Sequence, residues 1–573
     1  MTATRKNSPV LDWLHAKALE IFGADLRSLA LFRVILALLV LADLVNRATD
    51  LRQHYTDAGV LPRTVLIQDV LSPWSFSLNL MNGQLFFQVL LFAAAALAAL
   101  GMLVGYRTRL CTIVLWVLLL SIQWRNPLVG GSDGPLLRLL LFWGMFLPLG
   151  AYWSVDRAKG AVARLSVRFL SVATFGLFVQ IALVYWFTAL LKSGPEWRVD
   201  GTAIYYALSI DQIATPIGHY LLNYPDLLKM LTFATFGLEA FGPLLLFCPF
   251  FTGPVRTGAV LAFMSLHFGI WLTMDIGIFP WISAFSMVCF LPPWFWQKGA
   301  TLRSALLGRV GIARGLEGAA ARLSEAGAGS PFWTRLSAGA GTAQLSFAGL
   351  SLQDHRLVSR TVGEISLSSR PIPKAASRGE PPDNRRDSQL GRSGEPERLR
   401  SSLATNLFAL FFVLYILCWN LSTVSAFTMP ERAVPMGPFL GLDQYWAMFA
   451  PSPSKEDGWY VIPGNLRGGQ QVDLMSVTRD DYNLYKVSWE KPQDVTDTYK
   501  NEHWRKYLEN IWQEKHADQR LYFGQYMCRE WNARHSGSEQ LRTFQITYML
   551  EETLPDNRQA NPQKVVLWEH SCF

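Results

Sequence analysis

The sequence predicts a polytopic α-helical membrane protein of about nine spans with a separate C-terminal extracytoplasmic α+β, β-rich domain, and three observations carry that prediction. Half of the 573 residues are apolar, 13% are aromatic and only 17% are charged, against about 25% charged in an average soluble chain; the mean hydropathy is +0.18. Apolar stretches that can cross a bilayer, or nearly so, recur between residues 28 and 426. From about residue 429 onward, shorter strand-like segments replace them.

The first 27 residues mix polar and apolar side chains and lack an apolar core followed by a small-residue cleavage site, so no cleavable signal peptide is expected. Spans are expected at about 28–46, 85–104, 109–123, 136–151, 169–192, 229–251, 255–274, 278–296 and 403–426. Basic residues set the orientation. Arg5, Lys6, Lys17 and Arg27 precede the first span, Arg107 and Arg109 follow the second, Arg157, Lys159, Arg164 and Arg168 follow the fourth, and Arg256 lies at the very start of the seventh. Alternation puts all of them on one side, which the positive-inside rule makes cytoplasmic.

Residues 297–402 shift to Ala, Gly, Ser, Pro and Arg, with 16 Lys/Arg against 9 Asp/Glu. They read as a basic, low-complexity cytoplasmic linker, largely disordered. Residues 427–573 read as a small domain beyond the last span. Strands are expected at 471–477, 484–489, 545–550 and 564–568, with a helix within 498–534 whose Trp504, Tyr507, Leu508, Ile511 and Trp512 form one buried stripe. No internal repeat is evident. The six cysteines contain no CxxC pair and no metal-finger spacing. Cys111, Cys248, Cys289 and Cys418 fall in or beside spans and read as packing residues; Cys528 and Cys572 lie in the outer domain, where a disulfide between them is possible.

Ionisable side chains at membrane depth are costly and mark candidate sites. Arg33, Asp43, Arg138, Lys192, Glu239 and His267 qualify, with Asp133, Asp275 and the loop Trp124–Pro127 at the rim. Arg33 and Asp43 lie near opposite ends of the first span and suit structural contacts. Glu239 lies near mid-span, where a carboxyl group is protonated or paired with a cation such as Arg138; a buried pair and a proton-handling group both fit. His267 on an apolar helix suits packing as well as ligand contact. Lys192 ends the apolar run from Phe169 to Leu191, which reaches about 35 Å as a helix, and Ser193-Gly194-Pro195 then breaks it. At that boundary an amine either snorkels to the headgroups as a cation or loses its proton, because desolvation disfavours the charged form.

The segment Val184–Gly201, with its aromatic apolar helix, Lys192, Trp197 and Gly201, resembles the corresponding stretch of vitamin K-dependent gamma-carboxylase and its bacterial relatives, the horizontally transferred transmembrane (HTTM) domain proteins. Leu31-Phe32-Arg33, the loop His54–Pro62 and the segment Phe146–Asp156 are similar to HTTM signatures, and Tyr445–Pro451 through Asp473 is similar to the start of the post-membrane domain. The resemblance covers roughly residues 20–296. It implies a bacterial inner-membrane protein in which Lys192 deprotonates reduced vitamin K or another quinol. Oxygen then converts the quinol to an epoxide through a strongly basic alkoxide that removes a glutamate γ-proton, and carbon dioxide traps the carbanion. The activity implied is that of a carboxylase/epoxidase of the carbon–carbon lyase class, with no metal. Such chemistry needs a neutral lysine, which an apolar pocket favours.

On this resemblance the candidate catalytic residues are Lys192, His267 and Asp133, and the candidate cofactor-binding residues are Trp197, Arg33 and Glu239. The expected partners are the lipid bilayer, a quinone and a peptide or protein with acidic residues, not nucleic acid. The chain departs from the carboxylase pattern at Asp133, the nearest position to a family histidine, and in the linker, which has no counterpart. Two further classes stand beside the enzyme: a non-catalytic lipid- or quinone-binding or scaffolding membrane protein, and a transporter, for which matching halves are missing.

Overall fold

The computed structural model describes residues 9–159, 167–310, 401–554 and 558–573. The chain divides into two compact units, one comprising Met1–Ala158, Val167–Pro292 and Arg400–Phe573, the other Lys159–Ser166 and Pro293–Leu399. Most of the expected linker lies outside the described residues. Its start is helical rather than irregular, since a helix runs over Pro293–Val310.

The first unit begins with α1 (Pro9–Phe22) and α2 (Leu26–Ala48). Asp25 caps α2 by accepting from the Arg27 amide, which satisfies one of the donors that a helix start leaves open. There follow α3 (Leu51–Tyr55), α4 (Leu85–Val104), α5 (Thr108–Arg125), α6 (Asp133–Gly144), α7 (Val172–Leu191), α8 (Pro225–Leu246), α9 (Thr252–Thr273), α10 (Phe279–Ser286) and α11 (Leu403–Thr423). Seven of these helices, α2, α4, α5, α7, α8, α9 and α11, are long and apolar enough to cross a membrane. Their outward faces carry exposed Phe86, Leu97, Phe241, Phe268 and Leu407, as lipid contact requires.

The spans expected at 136–151 and 278–296 are shorter than predicted. Every residue of α6 except Pro135 is buried, and α10 is covered along most of its length before a 3-10 turn at Met287–Phe290. A helix enclosed by other helices meets protein on all sides, so its apolar sequence reflects packing and not bilayer thickness. Both segments still run the length of the bundle. Asp133, at the start of α6, lies 3.6 Å from Arg47 at the C-terminal end of α2, while Asp156 accepts from the Arg107 and Thr108 amides at the start of α5. Likewise the Ser28 hydroxyl, near the start of α2, donates to the Leu291 carbonyl. These contacts define a near end, at the N-terminus of α2, and a far end, at its C-terminus.

The C-terminal region packs on the far end. Its antiparallel sheet has β1 (Glu456–Val461), β2 (Pro463–Leu466), β3 (Gln471–Asp473), β4 (Leu541–Leu554), β5 (Arg558–Gln559) and β6 (Gln563–Ser571), with the long β4 paired to β1, β2, β5 and β6. Two helices, α12 (Glu502–Trp512) and α13 (Gln519–Asn532), cover it where one was expected. Trp504, Tyr507, Leu508 and Ile511 are buried; Trp512 is half-buried and packs at a tilt against Tyr548, the ring centroids 4.6 Å apart. The expected strand at 471–477 ends at Asp473, whose side chain accepts from the Met475 amide and starts a 3-10 turn. No strand forms at 484–489, where Leu484, Tyr485 and Trp489 are exposed and the alternation has no sheet partner. A disulfide joins Cys528 of α13 to Cys572 beyond β6.

The dock between bundle and C-terminal region centres on one buried carboxylate. Asp50, fully buried after α2, accepts from Lys500 Nζ at 2.6 Å, Asn501 Nδ2 at 2.5 Å and Trp504 Nε1 at 3.1 Å. Arg52 adds a two-pronged pair to Glu530. Replacing Asp50 by alanine strands the Trp504 indole N–H and leaves Lys500 with Asp480 as its one carboxylate partner among the described residues, at a cost of about 1–3 kcal/mol. Hydrogen exchange of Asp50→Ala is expected to show faster exchange across α12 with the bundle helices unchanged; equal exchange in both proteins contradicts this dock.

Candidate functional site

The site grows from the end of α7. Tyr185, Thr188 and Lys192 fall three and seven residues apart on one helical face, and the breaker Ser193-Gly194-Pro195 stops the helix with Lys192 as its C-cap. The Lys192 carbonyl accepts from Arg198 Nε at 2.8 Å, and the turn Glu196–Asp200 closes at Gly201 with φ +70°. A β-carbon there would press on Lys229 and Phe233, so glycine meets both the backbone and the space requirement.

That turn folds Trp197 back over Lys192, with Nζ 3.8 Å from the ring centroid. The start of the C-terminal region fixes the turn in place. Trp197 Nε1 donates to the Phe449 carbonyl at 2.8 Å, and Glu196 is held by Lys455 at 2.8 Å and by the Ser452 hydroxyl at 2.5 Å. The Lys455 and Ser452 contacts hold the Glu196 carboxyl down to about 2.

Across from α7, α8 presents Glu239. Lys192 Nζ donates to Glu239 Oε1 at 2.9 Å and Oε2 at 2.6 Å, and the two residues are only 3% and 7% exposed. Two carboxylate oxygens and a π face around one nitrogen suit an ammonium. A buried pair of this kind recovers its desolvation cost only partly, while losing one partner costs about 3–5 kcal/mol. Stability alone therefore gives little reason for it. On α9, His267 is buried beside the pair's helix, and its Nε2 lies 2.8 Å from the Tyr185 hydroxyl. Its Nδ1 has no hydrogen-bond partner among the described residues.

These groups line a cavity of about 1040 Å³. Its wall among α7, α8 and α9 is apolar, with Val184, Leu231, Leu266 and Ile270, and its far end is polar, with Asp133, Gln212, Asp457, Glu502 and Arg505. Glu502 reaches in from α12 against Gly277, where no β-carbon would fit. Burial, with the Asp133 charge next, pushes the Glu502 carboxyl up to about 7. Burial, with Asp211 next, pushes Asp457 up to about 6.

Lys192, Trp197, Glu239, His267 and Asp133 thus share one cavity. Arg33, expected among the cofactor-binding residues, does not. It lies at the near end, donating to the Leu149 and Trp153 carbonyls, because a guanidinium about two turns into α2 reaches the carbonyls that end the α6 segment. Arg138 also departs from expectation: it pairs with Asp443 at 2.8 Å and leaves Glu239 to Lys192. Asp133 is ion-paired to Arg47 at 3.6 Å, and Arg47 is itself bound to Asp43. Tyr185 and Glu502 were not foreseen. Tyr185 carried a signal in its helical spacing from Lys192; Glu502 carried none, since its place depends on how the C-terminal region docks.

The raised Glu502 and the lowered Glu196 act in opposite directions on stability. The protonated Glu502 contributes fully below its ordinary value of 4.5, and the contribution is lost as pH rises through about 7. Charged Glu196 contributes above 4.5 and is lost as pH falls through about 2. Thermal unfolding from pH 5 to pH 8 (an assay range spanning about one to two units around the raised value) is expected to show Glu502→Gln removing a decline that the wild type displays; parallel curves contradict the assignment.

Among known proteins, the family model described as the HTTM domain matches residues 23–295. No curated protein and no solved structure matches the chain. The matched region, slightly under half of the chain, runs from Gly23, three residues before the start of α2, through the helices that hold Lys192, Glu239 and His267, so the part of the chain that carries the buried lysine is the part that matches the HTTM domain.

Proposed function

We propose that the HTTM domain binds a lipid-soluble hydroquinone between α7, α8 and α9, takes a hydroxyl proton through Lys192, and couples quinol epoxidation to carboxylation of glutamate in an acidic peptide. The observation that carries this reading is a buried, ion-paired lysine opening onto a large cavity that is apolar along the helices and polar at the far end. The residues fit such a ligand. The apolar wall suits a ring and tail, while the unpartnered His267 Nδ1 suits a ligand oxygen.

When bound, the hydroquinone supplies, together with oxygen, the oxidising power and the strong base that glutamate carboxylation by carbon dioxide requires. The chain's own part is positional and electrostatic. Lys192 Nζ takes the hydroxyl proton, and Trp197 keeps the ammonium in place through its ring face. The Tyr185 hydroxyl fixes the orientation of His267, which then bonds the ligand's second oxygen. Burial of Lys192 and Glu239 keeps water from competing for the proton.

The distribution of charge supports a far end outside the cytoplasm. Arg27, Arg107, Arg109, Arg168 and Arg256 gather near the near end, and with the α6 and α10 segments running end to end the bundle is traversed about nine times. The C-terminal region then faces the extracytoplasmic side of a bacterial inner membrane, where an acidic peptide reaches the polar end of the cavity.

Membranes given reduced naphthoquinone, oxygen, labelled bicarbonate and a glutamate-rich peptide test the reading. Wild type is expected to form epoxide and fix label, with Lys192→Ala and Lys192→Arg each at least about 10²-fold slower, because arginine does not release its proton at usable pH. No epoxide in the wild type contradicts it and fits a non-catalytic binder; equal rates in wild type and Lys192→Arg also contradict it, because position 192 then needs only the charge.

A further inference from the structure

The surroundings of Lys192 raise a difficulty that points to a second proton-handling group. Glu239 accepts from Nζ through both carboxylate oxygens, at 2.9 and 2.6 Å, and Trp197 stacks on the same nitrogen at 3.8 Å. Both neighbours favour the ammonium. An ammonium has three N–H donors and no lone pair, so it has no vacancy for an arriving proton. Among the groups in direct contact with Nζ, the vacancy lies on the Glu239 oxygens.

We infer that Glu239 is the terminal acceptor of the proton that enters through Lys192, the two residues working as one relay across α7 and α8. This rests on the proposed quinol chemistry of the same cavity. The step balances. The ligand O–H breaks and an N–H forms on Lys192, while a second Lys192 N–H breaks and an O–H forms on Glu239 Oε2. The net-neutral pair becomes an ammonium beside a carboxylic acid. Its single positive charge then faces the single negative charge left on the ligand, so the buried site stays neutral overall, as a low-dielectric setting requires.

The groups around the pair are consistent with this direction of transfer. Tyr185 and His267 are already hydrogen-bonded to each other, and Thr188 donates to the Val184 carbonyl. None of these contacts occupies a Glu239 oxygen. The relay also gives arginine at position 192 a defined failure: it keeps the charge but does not release a proton to Glu239.

Difference infrared spectroscopy of the full chain in lipid nanodiscs, recorded on adding menadiol without oxygen, tests the inference. Wild type is expected to gain a protonated-carboxyl stretch that shifts in heavy water. Glu239→Gln is expected to lack it and to form epoxide about 10²-fold more slowly in air. Glu239→Asp, which keeps a carboxyl group should the glutamine variant fail to fold, is expected to show the band at an altered frequency. A band that persists in Glu239→Gln overturns the relay. Lys192-dependent epoxide formation without any band in the wild type also overturns it while leaving the base role of Lys192 intact; absence of both epoxide and band removes the quinol reading as well.

Discussion

The buried ion pair between Lys192 and Glu239 is the interaction on which the rest of this structure depends. Each residue alone is a charge that an apolar bundle cannot hold without a partner. Together they join the end of α7 to the middle of α8, and their shared position defines one wall of the large cavity. Trp197 closes over the ammonium because the chain turns sharply at Gly194-Pro195 and again at Gly201. The pair therefore sets the geometry of the turn as well as the chemistry available there.

The C-terminal region completes what the helices begin. Its first residues hold the 194–197 turn through the Gly194, Glu196 and Trp197 contacts to Pro451, Ser452, Lys455 and Phe449. Its helix α12 docks through Asp50 and extends Glu502 and Arg505 into the polar end of the cavity. The apolar part of the cavity comes from the membrane helices and the polar part largely from the docked region.

Much of this architecture was legible in the sequence. Long apolar runs marked seven helices with their boundaries nearly right, and the cost of charge in an apolar run singled out Lys192, Glu239 and His267. What was not legible depends on three-dimensional proximity. Glu239 pairs with a lysine 47 residues away, and no periodicity specifies that choice over Arg138. Arg33 looked equal to the others as a buried charge, yet lies at the opposite end, because depth along a span can be read from sequence but the neighbour at that depth cannot. The α6 and α10 segments looked like ordinary spans because burial in protein and burial in lipid select the same residues. At 484–489 the alternating pattern was real, but with no neighbouring strand it formed no sheet.

The central claim is that the cavity beside Lys192 and Glu239 holds a quinone-like ring. A naphthoquinone bearing a photoreactive group, irradiated in membranes containing the full chain and followed by peptide mapping, tests that claim most directly. The account predicts labelling within Val184–Trp197 of the α7 end and Leu266–Met274 of α9, both suppressed by excess menadiol. Labelling confined to the lipid-facing surfaces of α4, around Phe86 and Leu97, and indifferent to the competitor, would contradict it.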